Sequence, residues 1–298
     1  MVKILSAFIL ITWLSVDLVY PQKRRETYET SLVGDRITPA VSSVMMPRTY
    51  TEVLLASSLL TSNSYYDFNR KLNPFDSRYS YSFNTLMITH GISASNRFNI
   101  GVDLNYRIGR EDADRNSSPL AVFGNSGDGL IEYARALTSI GFRMRYVPFN
   151  NNKNFVIQHT YFVPVNTSPG VNFLGDNRHV FNTQLLYNYL IGSKLFLFGQ
   201  ADIFVRFRDD QGSSEIINPL NVFLSYLATK HFFPFAQVGM TNRWTDKFDH
   251  LSQSFSYGVG IQYQFTTMFT INAFYNDTFA GKFTSDFKSF NAGIRVVL

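Results

Sequence analysis

The chain has 298 residues, no cysteine, and 27 Lys and Arg against 22 Asp and Glu, a formal net charge of +5. The absence of cysteine excludes a disulfide framework and thiol chemistry. No run of basic residues is longer than Lys23, Arg24 and Arg25, so no nucleic-acid partner is expected.

Residues 1–21 have the layout of a secretory signal peptide, with Lys3 followed by an apolar run from Ile4 to Leu14. That run is too short for a transmembrane helix, which needs about 20 apolar residues. The next residues, 22–48, are mostly polar and show no period. The sequence therefore predicts an exported chain whose N-terminal segment has no assigned structure.

The stretch RFNIGVDLNYRIGR, residues 97–110, alternates strictly between apolar and polar side chains. Successive side chains of a β-strand point to opposite faces, so this alternation predicts a strand. Strands of soluble proteins usually have about five or six residues, whereas a tilted membrane-spanning strand has about 9 to 11. The length of this stretch favours a membrane-spanning strand.

The same alternation recurs towards the C-terminus, in FSYGVGIQYQF (255–265) and SFNAGIRVVL (289–298). Short and long connections alternate along the chain, and one strand face is apolar while the other is polar, as in a transmembrane β-barrel. The predicted fold is all-β, an antiparallel transmembrane β-barrel from residue 49 to residue 298, with ten or fourteen strands as alternatives to twelve. The predicted strands are 50–62, 79–91, 96–109, 133–148, 155–165, 179–191, 195–208, 217–229, 232–243, 253–265, 268–277 and 287–298.

From about residue 49 onward the chain resembles a bacterial outer-membrane β-barrel of porin or transporter type. Its last strand, ending GIRVVL, resembles the C-terminal assembly signal of that family, although that signal usually ends in Phe or Trp and this chain ends in Leu298. The resemblance implies an outer-membrane location, outer-membrane lipid around the barrel, and the barrel-assembly machinery as a partner during biogenesis. Residues 22–48 then hang in the periplasm or fold into the lumen as a plug.

Because side chains alternate between the two faces of a strand, their position relative to the apolar residues predicts which charged side chains face the lumen. We call this alternation strand parity. An excess of arginine there can favour anionic solutes. Alternatively, Arg–Asp pairs hold the interior together, as in small barrels with filled interiors. The predicted lumen-facing charged residues are Arg97, Asp103, Arg107, Arg143, Arg145, Asp202, Arg206, Arg243 and Arg295, together with Glu52, Arg135 and Arg208.

Five phenylalanines are also predicted to point inward near the periplasmic end: Phe196, Phe198, Phe233, Phe235 and Phe274. They form either an apolar passage or a layer of packed rings that closes the barrel floor.

The sequence contains neither an HExxH pattern nor a GxSxG elbow. His159 is predicted to face the lipid, but neighbouring strands offer no clear catalytic partners for it. We expect no catalytic residue, no metal site, no cofactor and no enzyme activity. The predicted function is a channel or transporter for small solutes, with anionic and amphipathic solutes as candidates. A structural or docking barrel in a surface or secretion complex is the alternative, and a lipid-modifying enzyme is less favoured.

Overall fold

A computed structural model of the protein describes residues 45–127, 129–166, 173–174, 178–208 and 214–298. The predicted signal peptide, 1–21, and most of the segment 22–48 lie outside the described residues. No helix in the described part of the chain is long and apolar enough to cross a membrane.

The described residues form one antiparallel sheet that closes into a barrel of twelve long strands. The strands are β1 Thr51–Tyr66, β2 Leu72–Gly91, β3 Phe98–Asp112, β4 Leu130–Tyr146, β5 Phe155–Pro164, β6 Val180–Ile191, β7 Leu195–Arg206, β8 Glu215–Tyr226, β9 Phe232–Thr245, β10 His250–Gln264, β11 Phe269–Lys282, β12 Thr284–Ser285 and β13 Lys288–Val297. β1 pairs with β2 on one side and with β13 on the other, which closes the wall, and the two-residue β12 extends the same seam. The predicted all-β fold and the count of twelve are confirmed.

The outer face of the wall is apolar and the inner face is polar. On β3 and β10, Val102 and Val259 are 38% and 57% exposed on the outside, while Asp103 and Gln262 are 3% and 1% exposed on the inside. An apolar face this exposed is stable against lipid tails and costly in water, so the wall is built to cross a membrane.

A β-bulge in β4 reverses which side chains face the lumen in the part of the strand that precedes residue 138. Asn105 of β3 pairs with Ser139, but Tyr106 pairs with Leu137, which leaves Thr138 as the extra residue. Ala134 and Ala136 are consequently buried, and Arg135 is exposed on the outside. The prediction that Arg135 faces the lumen is wrong, because alternation cannot reveal an inserted residue.

The strands are longer at the end opposite the chain termini than the sequence predicts. The predicted strands leave residues 63–78 and 278–286 as connections, but β1 reaches Tyr66, β2 begins at Leu72 and β11 reaches Lys282. Where a hairpin projects beyond the membrane, water contacts both of its faces. The alternation of apolar and polar residues is therefore lost there, although the hydrogen bonds between the strands continue. The loop between β3 and β4 is anchored by Arg110, whose Nη1 donates to the carbonyls of Gly124 and Ser126 at 2.9 and 3.1 Å.

Candidate functional site

The barrel encloses a cavity of about 490 Å³ that touches most of the strands. This volume lies within the range of roughly 300 to 1,000 Å³ typical of small-molecule sites. Eight carboxamides, six phenyl rings and five charged side chains line it. The charged residues are Glu52, Asp103, Arg143, Arg145 and Arg295.

The five charged side chains lie on one wall, formed by β1, β3, β4 and β13, and four of them form two ion pairs. Arg143 forms an ion pair with Asp103, and its Nη1 also donates to Thr89 Oγ1 at 3.2 Å. Arg295 Nε donates to Glu52 Oε2 at 2.5 Å across the seam between β13 and β1. These pairs satisfy charges that would otherwise be costly to bury.

A row of polar side chains continues from this wall across β4, β5, β6 and β7. Arg145 Nε donates to Gln158 Oε1 at 2.9 Å, and Gln158 Nε2 donates to Gln184 Oε1. Gln184 is the direct cross-strand neighbour of Asp202, whose carboxylate accepts from Gln200 Nε2 at 2.7 Å. The direct cross-strand register of these residues, Arg145 with Gln158, Gln158 with Gln184 and Gln184 with Asp202, makes the row possible. We call this row the amide relay.

Below the cavity, phenyl rings pack into a floor. The ring centroids of Phe198 and Phe223 are 5.7 Å apart, those of Phe223 and Phe235 6.2 Å, and those of Phe235 and Phe274 5.8 Å. Phe233 is fully buried and Phe196 is partly buried at the same end of the barrel. This is the end that carries the short turns and the first residue of β1, which corresponds to the periplasmic end of outer-membrane barrels.

The chain just before β1 enters this floor. Met45 is 7% exposed and packs in one cluster with Val147, Val156, Leu186 and the phenyl rings. The backbone N–H of Met46 donates to Asn99 Oδ1 at 2.9 Å, and Asn99 Nδ2 donates to the carbonyl of Met46 at 2.8 Å.

Gly91 allows the close approach of this segment. A Cβ added to Gly91 would lie 2.0 Å from the carbonyl oxygen of Pro47 and 2.5 Å from that of Met46. Any side chain at position 91 would therefore force residues 46–47 to move from their present position.

The upper lumen is narrowed by Phe173 and Leu174, which follow β5 in the chain. Leu174 is 2% exposed and packs against Ala134 and Ala136. Its carbonyl accepts from Arg107 Nη1 at 2.9 Å, and the Arg107 guanidinium lies 4.4 Å from the centroid of the Phe83 ring. Arg107 thus holds a loop residue in place inside the barrel.

The other predicted charged residues lie away from the cavity. Arg206 and Arg243 both reach Glu215, at 3.5 and 2.8 Å, near the upper ends of β7, β8 and β9. Arg97 lies at the lower rim, where its Nη2 donates to the carbonyls of Val147 and Pro148.

Sequence reasoning missed Glu215 and Phe223 as parts of the lumen, and it left open whether the segment that contains Met45 lies there. Phe223 could have been found from the parity of β8, since Val222 and Leu224 are exposed on the outside. Met45 lies in no periodic segment, so no sequence signal pointed to it.

His159 lies on the outer face, as its strand parity predicts. Its ring stacks with Tyr146 and Phe181 at centroid distances of 5.9 and 5.6 Å, and Nδ1 lies 3.0 Å from Thr183 Oγ1. These contacts account for the imidazole as part of the aromatic outer surface.

No family model matches the sequence, and no curated protein matches it. The fold resembles that of solved outer-membrane proteins, among them the following two. The COG4313 outer membrane channel from Pseudomonas putida F1 aligns with a TM-score of 0.64 and 15% identity over 88% of this chain and 100% of that chain. The β domain of the Bordetella autotransporter BrkA aligns with a TM-score of 0.54 and 16% identity over 84% of this chain and 100% of that chain.

At this identity the likeness concerns the fold alone. The fold and the apolar outer belt together define a transmembrane β-barrel of the bacterial outer membrane. The predicted class and location are confirmed.

Proposed function

We propose that the protein is an outer-membrane channel for small organic solutes whose periplasmic end is closed in the described conformation. The observation that carries the proposal is the cavity of about 490 Å³ with a polar lining inside a closed barrel. A barrel that served only as a support would gain more stability from an apolar, filled interior. The fold shared with the outer membrane channel from Pseudomonas putida F1 supports the same function.

The charges of the cavity support only a mild preference for anions. Three arginines face two carboxylates, so the net charge is one positive charge, and four of these five groups form two ion pairs. A nearly neutral lining discriminates weakly between ions of opposite sign. Hydrogen bonding and shape are therefore the larger contributions to solute choice.

The floor and the Met45–Arg48 segment together act as the closed gate. Met45 fills the space among the rings, and the Asn99 amide holds the backbone next to it. Passage of a solute requires this segment to leave the lumen. In this proposal at least the last residues of segment 22–48 act as a plug.

Conductance of the purified full chain in planar lipid bilayers tests the proposal. We expect rare openings in the parent protein and frequent openings when Met45→Gly removes the side chain from the floor. Met268→Gly is the matched control, because Met268 is 48% exposed in a turn at the same end of the barrel. Absence of conductance in the parent and in Met45→Gly would overturn the channel.

A second candidate is a docking barrel at the cell surface, and an exposed aromatic pair favours it. Phe68 and Phe283, at the tips of two hairpins, are 59% and 58% exposed with ring centroids 5.7 Å apart. Lys282 Nζ lies 4.2 Å from the centroid of the Phe68 ring. Co-purification of one stoichiometric partner with the parent, lost in Phe68→Ser together with Phe283→Ser, is the result expected for docking. A barrel that purifies without a partner argues against it.

A further inference from the structure

We propose that the cavity binds a saccharide of one or two rings, held by the amide relay and its neighbours. This inference rests on the proposed channel function and names the class of solute. It depends on three features of the lining: the number of amides, the orientation of the relay, and the phenyl faces.

Carboxamides are the commonest polar groups of the lining, and each offers both donors and acceptors. A sugar hydroxyl is itself a donor and an acceptor, so amides match it in either role. Eight amides face the cavity from opposite walls, among them Gln184 on β6 and Asn272 on β11. A solute with hydroxyls around its whole edge is the kind that satisfies such a lining.

The arginine end of the relay fixes how its amides point. Arg145 can only donate, so the oxygens of Gln158 and Gln184 point towards Arg145 and the nitrogen of Gln158 points towards Gln184. Gln158 uses one oxygen lone pair and one N–H in the relay, and Gln184 uses one oxygen lone pair. The remaining lone pairs and N–H groups are presented in a fixed alternating order, which is a preorganised site for neighbouring hydroxyls.

Phenyl rings complete the match with a sugar. Phe162, Phe204 and Phe274 line the same cavity as the amides. Their faces are suited to the C–H faces of a pyranose ring, which carry no strong hydrogen-bonding group. The ion pairs Arg143–Asp103 and Arg295–Glu52 already neutralise four of the five charges, so a charged solute gains less from this site than a hydroxylated one.

Equilibrium binding to the full chain in an amine-oxide detergent tests the inference, since detergents with sugar headgroups compete for the site. The probes are glucose, maltose and benzoate. Isothermal titration calorimetry and saturation-transfer NMR measure their binding. We expect saturable binding of maltose or glucose and weaker binding of benzoate. No saturable sugar binding, or tighter binding of benzoate than of both sugars, overturns the inference.

Gln184→Leu keeps the side-chain size and removes the centre of the relay. It should weaken sugar binding roughly tenfold, the factor that corresponds to about 1.4 kcal/mol. Asn151→Leu, at an exposed turn position, should leave binding unchanged. Asp202→Asn is nearly isosteric, removes the acceptor charge and should weaken binding as well, with heat-modifiable gel migration showing that both lumen variants are folded. Parent-like sugar affinity in both folded variants would overturn the proposed site.

Conductance of the same preparations separates the two proposals. Sugar binding without conductance in the parent or in Met45→Gly supports the site and overturns the channel. Conductance without saturable sugar binding supports the channel and overturns the site.

Discussion

The side-chain amide of Asn99 pairs with the backbone of Met46 in both directions, accepting from its N–H at 2.9 Å and donating to its carbonyl at 2.8 Å. Asn99 belongs to β3 and is fully buried. A reciprocal pair of this kind can be made in one position only, so Asn99 acts as a latch for the segment that closes the floor.

Removing the latch should open the lumen. In Asn99→Ala both polar groups of Met46 lose their partner, which costs about 1 to 3 kcal/mol for each buried unsatisfied group. We expect a higher open probability in planar bilayers with unchanged heat resistance of the barrel on gels. Gly91→Val should have the same effect by steric exclusion of Pro47. Closed behaviour in both variants would mean that the segment does not gate the pore.

The lipid-facing wall gives a second prediction. Val102→Arg and Val259→Arg place a charge on the apolar belt and should cost about 2 to 4 kcal/mol near the bilayer midplane. We expect reduced yield of the heat-modifiable barrel in the outer membrane fraction.

Ser58→Arg is the control, because Ser58 lines the cavity and water reaches a charge there. Equal yields of all three variants would contradict the assignment of inside and outside. Recovery of the parent as a soluble protein would contradict membrane insertion altogether.

The architecture could be predicted from the sequence because the period of two is imposed on every strand by lipid on one side and the lumen on the other. Parity also gave the inward direction of Arg206 and Arg243. It could not show that both converge on Glu215, because convergence depends on register, tilt and strand ends. Arg135 was misplaced because one bulge residue, Thr138, reverses parity without changing the local pattern.

The closure of the lumen by Met45 could not be predicted from the sequence, for a different physical reason. Met45 is held by packing against rings from several strands and by the Asn99 amide, so every contact is distant in sequence. A segment without secondary structure has no period, and its place is decided by the cavity that receives it.

The hairpin tip between β1 and β2 gives a prediction on pH. The backbone N–H of Lys71 donates to Asp67 Oδ1 at 2.9 Å, and this contact, with further donation from Asn73 and from the N–H of Asn69, lowers the pKa of the Asp67 carboxyl below its ordinary value. Since the folded pKa is lowered, the carboxylate supports the loop above the ordinary pKa of the group, and this support disappears as pH falls through the lowered value.

Hydrogen exchange of the Asn69 and Lys71 amides measures this support. Both amides should be protected at neutral pH and lose protection in strong acid, while the amides of β1 stay protected. Asp67→Asn should show weaker protection at neutral pH and no such transition. Protection of both amides that stays constant through the acid range in the parent would show that the carboxylate does not order the loop.

The seam between the first and last long strands gives the final prediction. Glu52 of β1 is 7% exposed and pairs with Arg295 of β13 at 2.5 Å, so this ion pair ties the two ends of the sheet together. Glu52→Gln removes the counter-charge of Arg295, whose side chain is 11% exposed at the cavity, and should cost about 1 to 3 kcal/mol, less than for a charge that water cannot reach. We expect gel migration to shift to the unfolded position at a lower temperature.

The same variant raises the net positive charge of the cavity, so its reversal potential in a salt gradient should move towards anion preference. That shift should shrink as the salt concentration rises, because the Debye length falls from about 10 Å at 0.1 M to about 3 Å at 1 M. Glu52→Gln combined with Arg295→Gln removes both charges and should restore much of the heat resistance and the parent reversal potential. A single variant as heat-resistant as the parent would show that the pair does not stabilise the seam. An unchanged reversal potential in the folded single variant would show that Arg295 does not face the conducting path.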